Sequence, residues 1–421
     1  MTHRPQSGMA APMNAPDAID QEQRAPIGFV EFVALVASLM ALTALGIDSM
    51  LPALPAIGTA LGVASENERQ FVISSFLLGF GLAQLVHGPL ADRYGRRPVL
   101  LIALAGYVVA NLVAAFSSSF MLLLVARFAS GLAIAASRVV TVALVRDCYS
   151  GRAMARVMSL AFMVFMAAPV LAPSFGQLIL LFGSWRLIFV LIAVVSAGVL
   201  AWFAIRMPET LAPEQRHPLS IERLMSDWRV TLTDRASIGY TLAATALLGA
   251  LYGFINSVQQ IVAALTGSDD LLVPVFIGVA SMMALANLIN SRIVIRLGTR
   301  RISHSALAAF IVLAGVHLVV AATGHETIWT FAILQSLAMA CFGLASANFS
   351  AMAMENMGAI AGTASSVQGF ITVTIGAVVG ALIGQRFDGT TVPLYLGFFV
   401  ASLLAFVIIA IVERGRMFRP S

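Results

Sequence analysis

From residue 27 onward the chain alternates long apolar runs with short polar breaks. Twelve runs cover 27–47, 70–88, 98–116, 121–145, 154–182, 186–206, 237–262, 272–295, 302–322, 327–350, 360–385 and 392–412. Each approaches or exceeds the roughly 20 residues that a helix rising about 1.5 Å per residue needs to cross about 30 Å of hydrocarbon. The breaks carry turn-forming residues: Pro52 and Pro55, Pro98, Ser117 to Ser119, Gly183, Pro208 and Pro213, Gly267 to Asp270, Gly324 and Gly389. The pattern predicts an all-α integral membrane protein of twelve transmembrane helices. Composition agrees, with 59% hydrophobic and 11% charged residues; a water-soluble fold could not hide that much apolar surface. Ahead of the first run, the Pro-rich residues 1–26 read as a disordered tail. The first run is long enough to span and lacks a short cleavable apolar core, so it reads as a retained helix.

The segment Arg206 to Arg235 is the longest polar stretch inside the chain, and it parts six runs from six. Local residues test whether the halves are duplicates. Arg93-x-Gly95-x-Arg97 after the second run recurs as Arg296-x-Gly298-x-Arg300 after the eighth, 203 positions later. Ala168, Ala172 and Gly176 in the fifth run recur as Gly376, Gly380 and Gly384 in the eleventh, each 208 on. The expected organisation is therefore a tail over 1–26, a six-helix bundle over 27–206, a linker over 207–235, a second bundle over 236–412 and a tail over 413–421. Two pseudo-symmetric bundles with a site at their interface are a transporter design, because rocking one half on the other exposes a midplane cavity alternately.

All 25 basic residues are arginines. With the N-terminus inside, 20 of them fall on one side, and only Arg69, Arg186 and Arg386 on the other. Arginine excess marks the cytoplasmic face, which predicts both termini there. The basic balance thus reflects topology and gives no reason to expect nucleic-acid binding. Cys148 and Cys341 form neither a disulfide framework nor a metal spacing.

Particular residues now narrow the family. Gly88-x-Leu90-Ala91-Asp92-Arg93-x-Gly95-Arg96-Arg97 resembles the loop signature of the major facilitator superfamily, and Arg127-x-x-x-Gly131 resembles its fourth-helix motif. Ala168-Pro169-Val170-Leu171-Ala172-Pro173-x-x-Gly176-Gln177 is similar to the antiporter motif of the drug:proton exporters, with Ala at two usual Gly positions and Gln177 at a third. Further marks are Ile47-Asp48-x-x-Leu51-Pro52-Ala53-Leu54-Pro55, Arg146-Asp147-x-Tyr149, Ser184-Trp185-Arg186-x-Ile188-Phe189 and Ala361-Gly362-Thr363-Ala364-Ser365-Ser366. Together these resemble the bicyclomycin-resistance (Bcr/CflA) subfamily of bacterial multidrug exporters. The resemblance implies proton-coupled export of amphipathic small molecules across a bacterial inner membrane, with export or import of one sugar or amino acid as the alternative.

Ionisable residues deep in the runs are Asp48, Arg127 and Arg138. A charge there costs several kcal/mol unless it is paired or wet, so each needs a reason. Asp48, the one deep acid, is the candidate proton-coupling group, because arginine does not titrate in the useful range. Its alternative is a cap at a helix end. Arg127 and Arg138 are eleven positions apart, about 20° around a helix and roughly 16 Å along it. They share a face that lines a cavity, pairs with acids or caps carbonyls of a neighbour. With Tyr252, Asn256 and Gln260 they make the candidate substrate wall. Gly88, Asp92, Arg93, Gly95, Arg96 and Arg97 are the candidate cytoplasmic gate, and Pro169, Pro173 and Gly176 the candidate antiporter face. No catalytic constellation of paired acids or histidines occupies the runs, so the chain does not read as an enzyme. The expected partners are a small-molecule substrate, protons and the lipid bilayer, for a monomer without metal or cofactor.

Overall fold

A computed structural model describes residues 25–216 and 220–419; most of the predicted N-terminal tail lies outside them. Every predicted run forms a long helix: α1 Phe29–Asp48, α2 Phe71–Tyr94, α3 Arg96–Ala115, α4 Phe120–Cys148, α5 Gly151–Phe182, α6 Arg186–Arg206, α7 Arg235–Thr266, α8 Leu272–Leu297, α9 Thr299–Ala322, α10 Ile328–Ala353, α11 Ala361–Gly384 and α12 Val392–Val412. Eleven of these segments are long and apolar enough to span a membrane, and α5 adds a 32-residue helix whose apolar end is Val170–Phe182.

The packing repeats with the sequence. In the first half α2 and α3 pack on α4, α3 on α6, and α1 on α4, α5 and α6. In the second half the same pairings hold six helices later: α8 and α9 on α10, α9 on α12, and α7 on α10, α11 and α12. The halves meet where α2 packs on α11 and, less extensively, where α5 packs on α8. The small residues predicted from the repeat sit in equivalent contacts. A Cβ on Gly176 would lie 2.1 Å from the Ser49 carbonyl oxygen, and one on Gly380 would lie 2.4 Å from the Tyr252 Cβ. Helices five and eleven thus press on helices one and seven, as close backbone approach in a membrane requires.

Two local departures from regular helix shape the interior. The first span is discontinuous: α1 stops at Asp48, Leu51–Ala53 forms a single 3-10 turn, and Leu54–Ala60 resumes as a short helix. Pro52 and Pro55 each occupy a first turn, where a missing N–H costs no hydrogen bond. The break therefore lies within a longer crossing segment, and Asp48 sits at the interruption. The second departure corrects the sequence reading. Gly88 to Tyr94 extend α2 as helix, and the turn into α3 falls at Gly95 alone, with φ 103°. Gly298 repeats it at φ 80°, a region that side chains seldom enter.

The α2–α4 contact is the tightest in the first half. A Cβ on Gly131 would lie 2.0 Å from the Phe76 carbonyl oxygen, a backbone atom that cannot step aside. Gly131→Leu should therefore sharply reduce the fraction of detergent-extracted protein that runs as a single monodisperse peak. Gly278→Leu, at a site with nothing within 4 Å, should leave that fraction at the wild-type level.

Candidate functional site

A cavity of about 1210 Å³ lies between the halves. Its wall comes from α1 (Met40, Thr43), the end of α2 (Gln84 to Asp92), the end of α4 (Arg138 to Asp147), the first half of α7 (Tyr240 to Tyr252), the end of α10 and the start of α11. All but the α1 residues belong to helix ends or halves on the arginine-rich face, and Leu224, Asp227 and Trp228 of the linker helix Ile221–Thr233 stand at the mouth. That linker helix was not expected from the polar character of its segment.

At the opposite end the halves are shut by a clasp of side-chain amides. Gln70 Nε2 donates to Gln260 Oε1 at 2.5 Å and to the Gly384 carbonyl at 3.0 Å. Gln260 Nε2 donates to Asn67 Oδ1 at 2.9 Å. Asn67 Nδ2 reaches the Gln385 and Phe387 carbonyls, and Gln385 Nε2 returns to the Asn67 carbonyl at 2.6 Å. One step further in, Ser74 Oγ approaches Asn256 Oδ1 at 3.5 Å. Asn256 and Gln260, expected on the cavity wall, thus lie in the closure; neither lines the cavity.

Arg138 and Tyr252 do line the cavity. Asp48 does not: it lies five residues, about 7.5 Å of helix rise, beyond Thr43. It is buried, and its Oδ1 has no hydrogen-bond partner among the described residues.

Arg127 departs from the expectation of a cavity wall. It is fully buried and absent from the cavity lining. Its Nη2 donates to the Gly46 carbonyl at 2.7 Å and its Nε to the Val72 carbonyl at 3.1 Å, with Phe76 4.4 Å from its guanidinium carbon. Of the three roles open to it from sequence, it caps carbonyls of neighbouring helices. Two hydrogen bonds to a charged donor, each about 1.5–3 kcal/mol, and an aromatic face offset the burial of the charge. Gly176 stands against Ser49 and Pro52, beside the break that follows Asp48. Pro173 is buried in α5, and the side chain of Pro169 lies outside the described residues.

Of the predicted gate residues, Gly88, Asp92 and Arg96 line the cavity mouth, and Arg93, Gly95 and Arg97 do not. Arg96 is buried and bridges Asp92 Oδ1 at 2.5 Å and Asp147 Oδ2 at 3.0 Å. Glu209 accepts the N–H groups of Arg96 and Arg97 and so caps the start of α3, where a carboxylate meets the positive end of the helix dipole. A Cβ at Gly95 would collide with that carboxylate at 2.1 Å, which gives this glycine a second reason. Gly88 also lines the cavity; Arg97 donates to the Ala204 carbonyl at 2.8 Å, while Arg93 packs over the Tyr94 ring. The second half repeats the device: Arg300 bridges Glu355 at 2.8 Å and Glu413 at 3.0 Å. Sequence spacing did not single out Glu209, Glu355 or Glu413, because polar junctions are rich in acids and their partners lie on other helices.

Residues 36–381 match the family model described as Major Facilitator Superfamily. The chain belongs to that superfamily. It is 30% identical over 366 residues to the "Bicyclomycin resistance protein homolog" of Haemophilus influenzae, covering 86% of this chain and 91% of that protein. It is 28% identical over 381 residues to "Multidrug resistance protein MdtL" of Klebsiella pneumoniae, covering 88% and 93%. The crystal structure of the human organic anion transporter MFSD10 (TETRAN) shares the fold at a TM-score of 0.64 and 18% identity, over 92% of this chain and 100% of that one. The superfamily is one of transporters, and the chain is a transporter and not an enzyme.

The different settings of the two deep arginines give a direct check. In a background lacking Cys148 and Cys341, cysteine at position 138 should react with a membrane-impermeant thiol reagent applied from the arginine-rich face. Cysteine at position 127 should stay unlabelled. Equal labelling at the two positions would contradict the buried carbonyl-capping role of Arg127.

Proposed function

We propose that this transporter exports amphipathic small molecules from the bacterial cytoplasm in exchange for protons, by alternating access across the inner membrane. One observation carries the reading: the cavity between the repeat-related halves is lined from the arginine-rich side, while side chains of both halves close the other. A transporter that rocks about a midplane site passes through such a state. The names of the resistance proteins it resembles support drugs as cargo. The arginine excess supports placing the cavity mouth, both termini and the linker helix on the cytoplasmic side. The cavity is complete within one chain, which supports a monomer.

Proton exchange needs a titratable group that substrate and proton influence in opposite senses. Asp48 meets the structural requirements. It is a buried carboxyl group whose Oδ1 has no hydrogen-bond partner among the described residues, and it sits at the break of a discontinuous helix. The break gives it backbone that can move, and Gly176 of the antiporter face presses on the next residue. In this scheme a proton from the outer face neutralises Asp48 after substrate leaves, and the neutral carboxyl group crosses back with the closing half.

Asp48→Asn keeps the side chain's shape and removes its titration. Expressed in an exporter-deficient bacterium and reconstituted in proteoliposomes, it should still bind substrate and support downhill exchange. Uphill transport driven by a pH gradient should fall to the protein-free background, together with the accompanying proton flux. Coupled transport at the wild-type rate would reduce Asp48 to a structural role.

A further inference from the structure

The cavity carries charge in two places of different character. At the mouth, Arg96 is neutralised by Asp92 and Asp147, and Asp227 accepts from Thr363 Oγ1 at 3.2 Å. Arg146 stands there too, eight residues or about 12 Å of helix beyond Arg138. At the inner end Arg138 is the only charged lining residue among those described. It is exposed to the cavity, and among the described residues no carboxylate lies within ion-pair distance and no acceptor takes its hydrogen bonds. Around it stand uncharged groups: Met40, Thr43, Gln84, Leu248 and Tyr252. Asp48 lies beyond this wall, outside the cavity lining.

We infer that the inner end of the cavity selects molecules that are uncharged overall and present clustered hydrogen-bond acceptors, such as carbonyl, nitro or sulfonyl oxygens, to the Arg138 guanidinium, and that it turns away permanent lipophilic cations. The inference rests on the export reading above and specifies its substrate class. A guanidinium offers five donors in a planar fork and accepts nothing, so an unpaired one in a confined site favours acceptor-rich partners. A permanent cation would meet like charge between low-dielectric walls, where repulsion is several times stronger than in water. Met40, Leu248 and Val139 give the apolar body of the molecule a surface that can adapt.

Anions are excluded by the sign of the coupling. An anion bound at Arg138 would favour the protonated form of Asp48, which lies about one and a half turns of α1 beyond the cavity-lining Thr43, and the two would bind together. Exchange requires that substrate and proton hinder one another. A neutral molecule at the fork of Arg138 adds no charge that would draw the proton in.

The test uses the full chain in an exporter-deficient bacterium, with accumulation measured for chloramphenicol as the uncharged probe, tetraphenylphosphonium as the permanent cation and fluorescein as the anion. Membrane content of each variant is quantified by immunoblot. Wild type should lower chloramphenicol accumulation and leave the other two unchanged. Arg138→Gln should weaken chloramphenicol export about tenfold or more, the factor for losing a hydrogen bond to a charged donor. Arg138→Lys should keep part of it, and Arg138→Glu should begin to export tetraphenylphosphonium. The ratio of chloramphenicol to tetraphenylphosphonium export is the deciding quantity, because a general loss of folded protein does not move it. Export of tetraphenylphosphonium by the wild type, or full chloramphenicol export by Arg138→Gln, would overturn the substrate class with the exporter intact. Failure of the wild type to export any of the three would bring down the export reading and this inference with it.

Discussion

A helix broken inside a membrane survives only where its freed carbonyls find donors in the protein, since hydrocarbon offers none. Arg127 meets that constraint at the end of α1, donating to the Gly46 carbonyl while its Nε holds the Val72 carbonyl at the start of α2. One side chain on α4 thereby ties α1 to α2 at the level of the break. Gly131 on the same helix lets α2 approach backbone to backbone, and Gly176 brings α5 against Ser49. The interruption that gives Asp48 its special setting is thus fixed from three sides. With Arg127 removed, the unpaired Gly46 carbonyl would cost about 1–3 kcal/mol and the break would lose its anchor.

The halves are joined on different terms from those that hold each half together. Among the described residues every ion pair lies within one half: Arg96 with Asp92 and Asp147, Arg69 with Glu66, Arg206 with Glu31, Arg300 with Glu355 and Glu413, His317 with Glu326. The far closure between the halves uses neutral amides and backbone carbonyls instead. Neutral hydrogen bonds contribute a net of about 0.5–1.5 kcal/mol each, whereas leaving one charge of a buried ion pair without its partner costs about 3–5 kcal/mol. An interface that must part in every cycle is better built from the former. The glycine turns at Gly95 and Gly298, each beside an arginine held by acids, keep each half rigid while it moves.

The architecture was legible in the sequence because its signal is one-dimensional. Twelve apolar runs and a repeat at offsets of 203 and 208 residues gave the helices, their grouping and the equivalence of Gly176 with Gly384. Side-chain destinations were only partly legible. Arg127 and Arg138 share a helical face, yet eleven positions carry them from a dry contact between three helices to the floor of an open cavity. A face calculation cannot see that depth changes the neighbour. Asn256 and Gln260 were rightly marked by their polarity within an apolar run, but their partners Asn67 and Gln70 sit at the start of another span, where polar residues are ordinary. Glu209 was hidden for the same reason, since its importance comes from the α3 N-terminus it caps.

Alternating access makes this structure one of two states, open at the arginine-rich mouth and closed by the amide clasp. Spin-label pairs across the halves measure it, one pair near Glu66 and Asp388 beside the clasp and one near Arg146 and Met354 at the mouth. Double electron–electron resonance should then show two populations, in which the clasp distance lengthens as the mouth distance shortens, with Gln260→Ala shifting weight toward the open clasp. A single fixed distance at the clasp under all substrate and pH conditions, unmoved by Gln260→Ala, would contradict it.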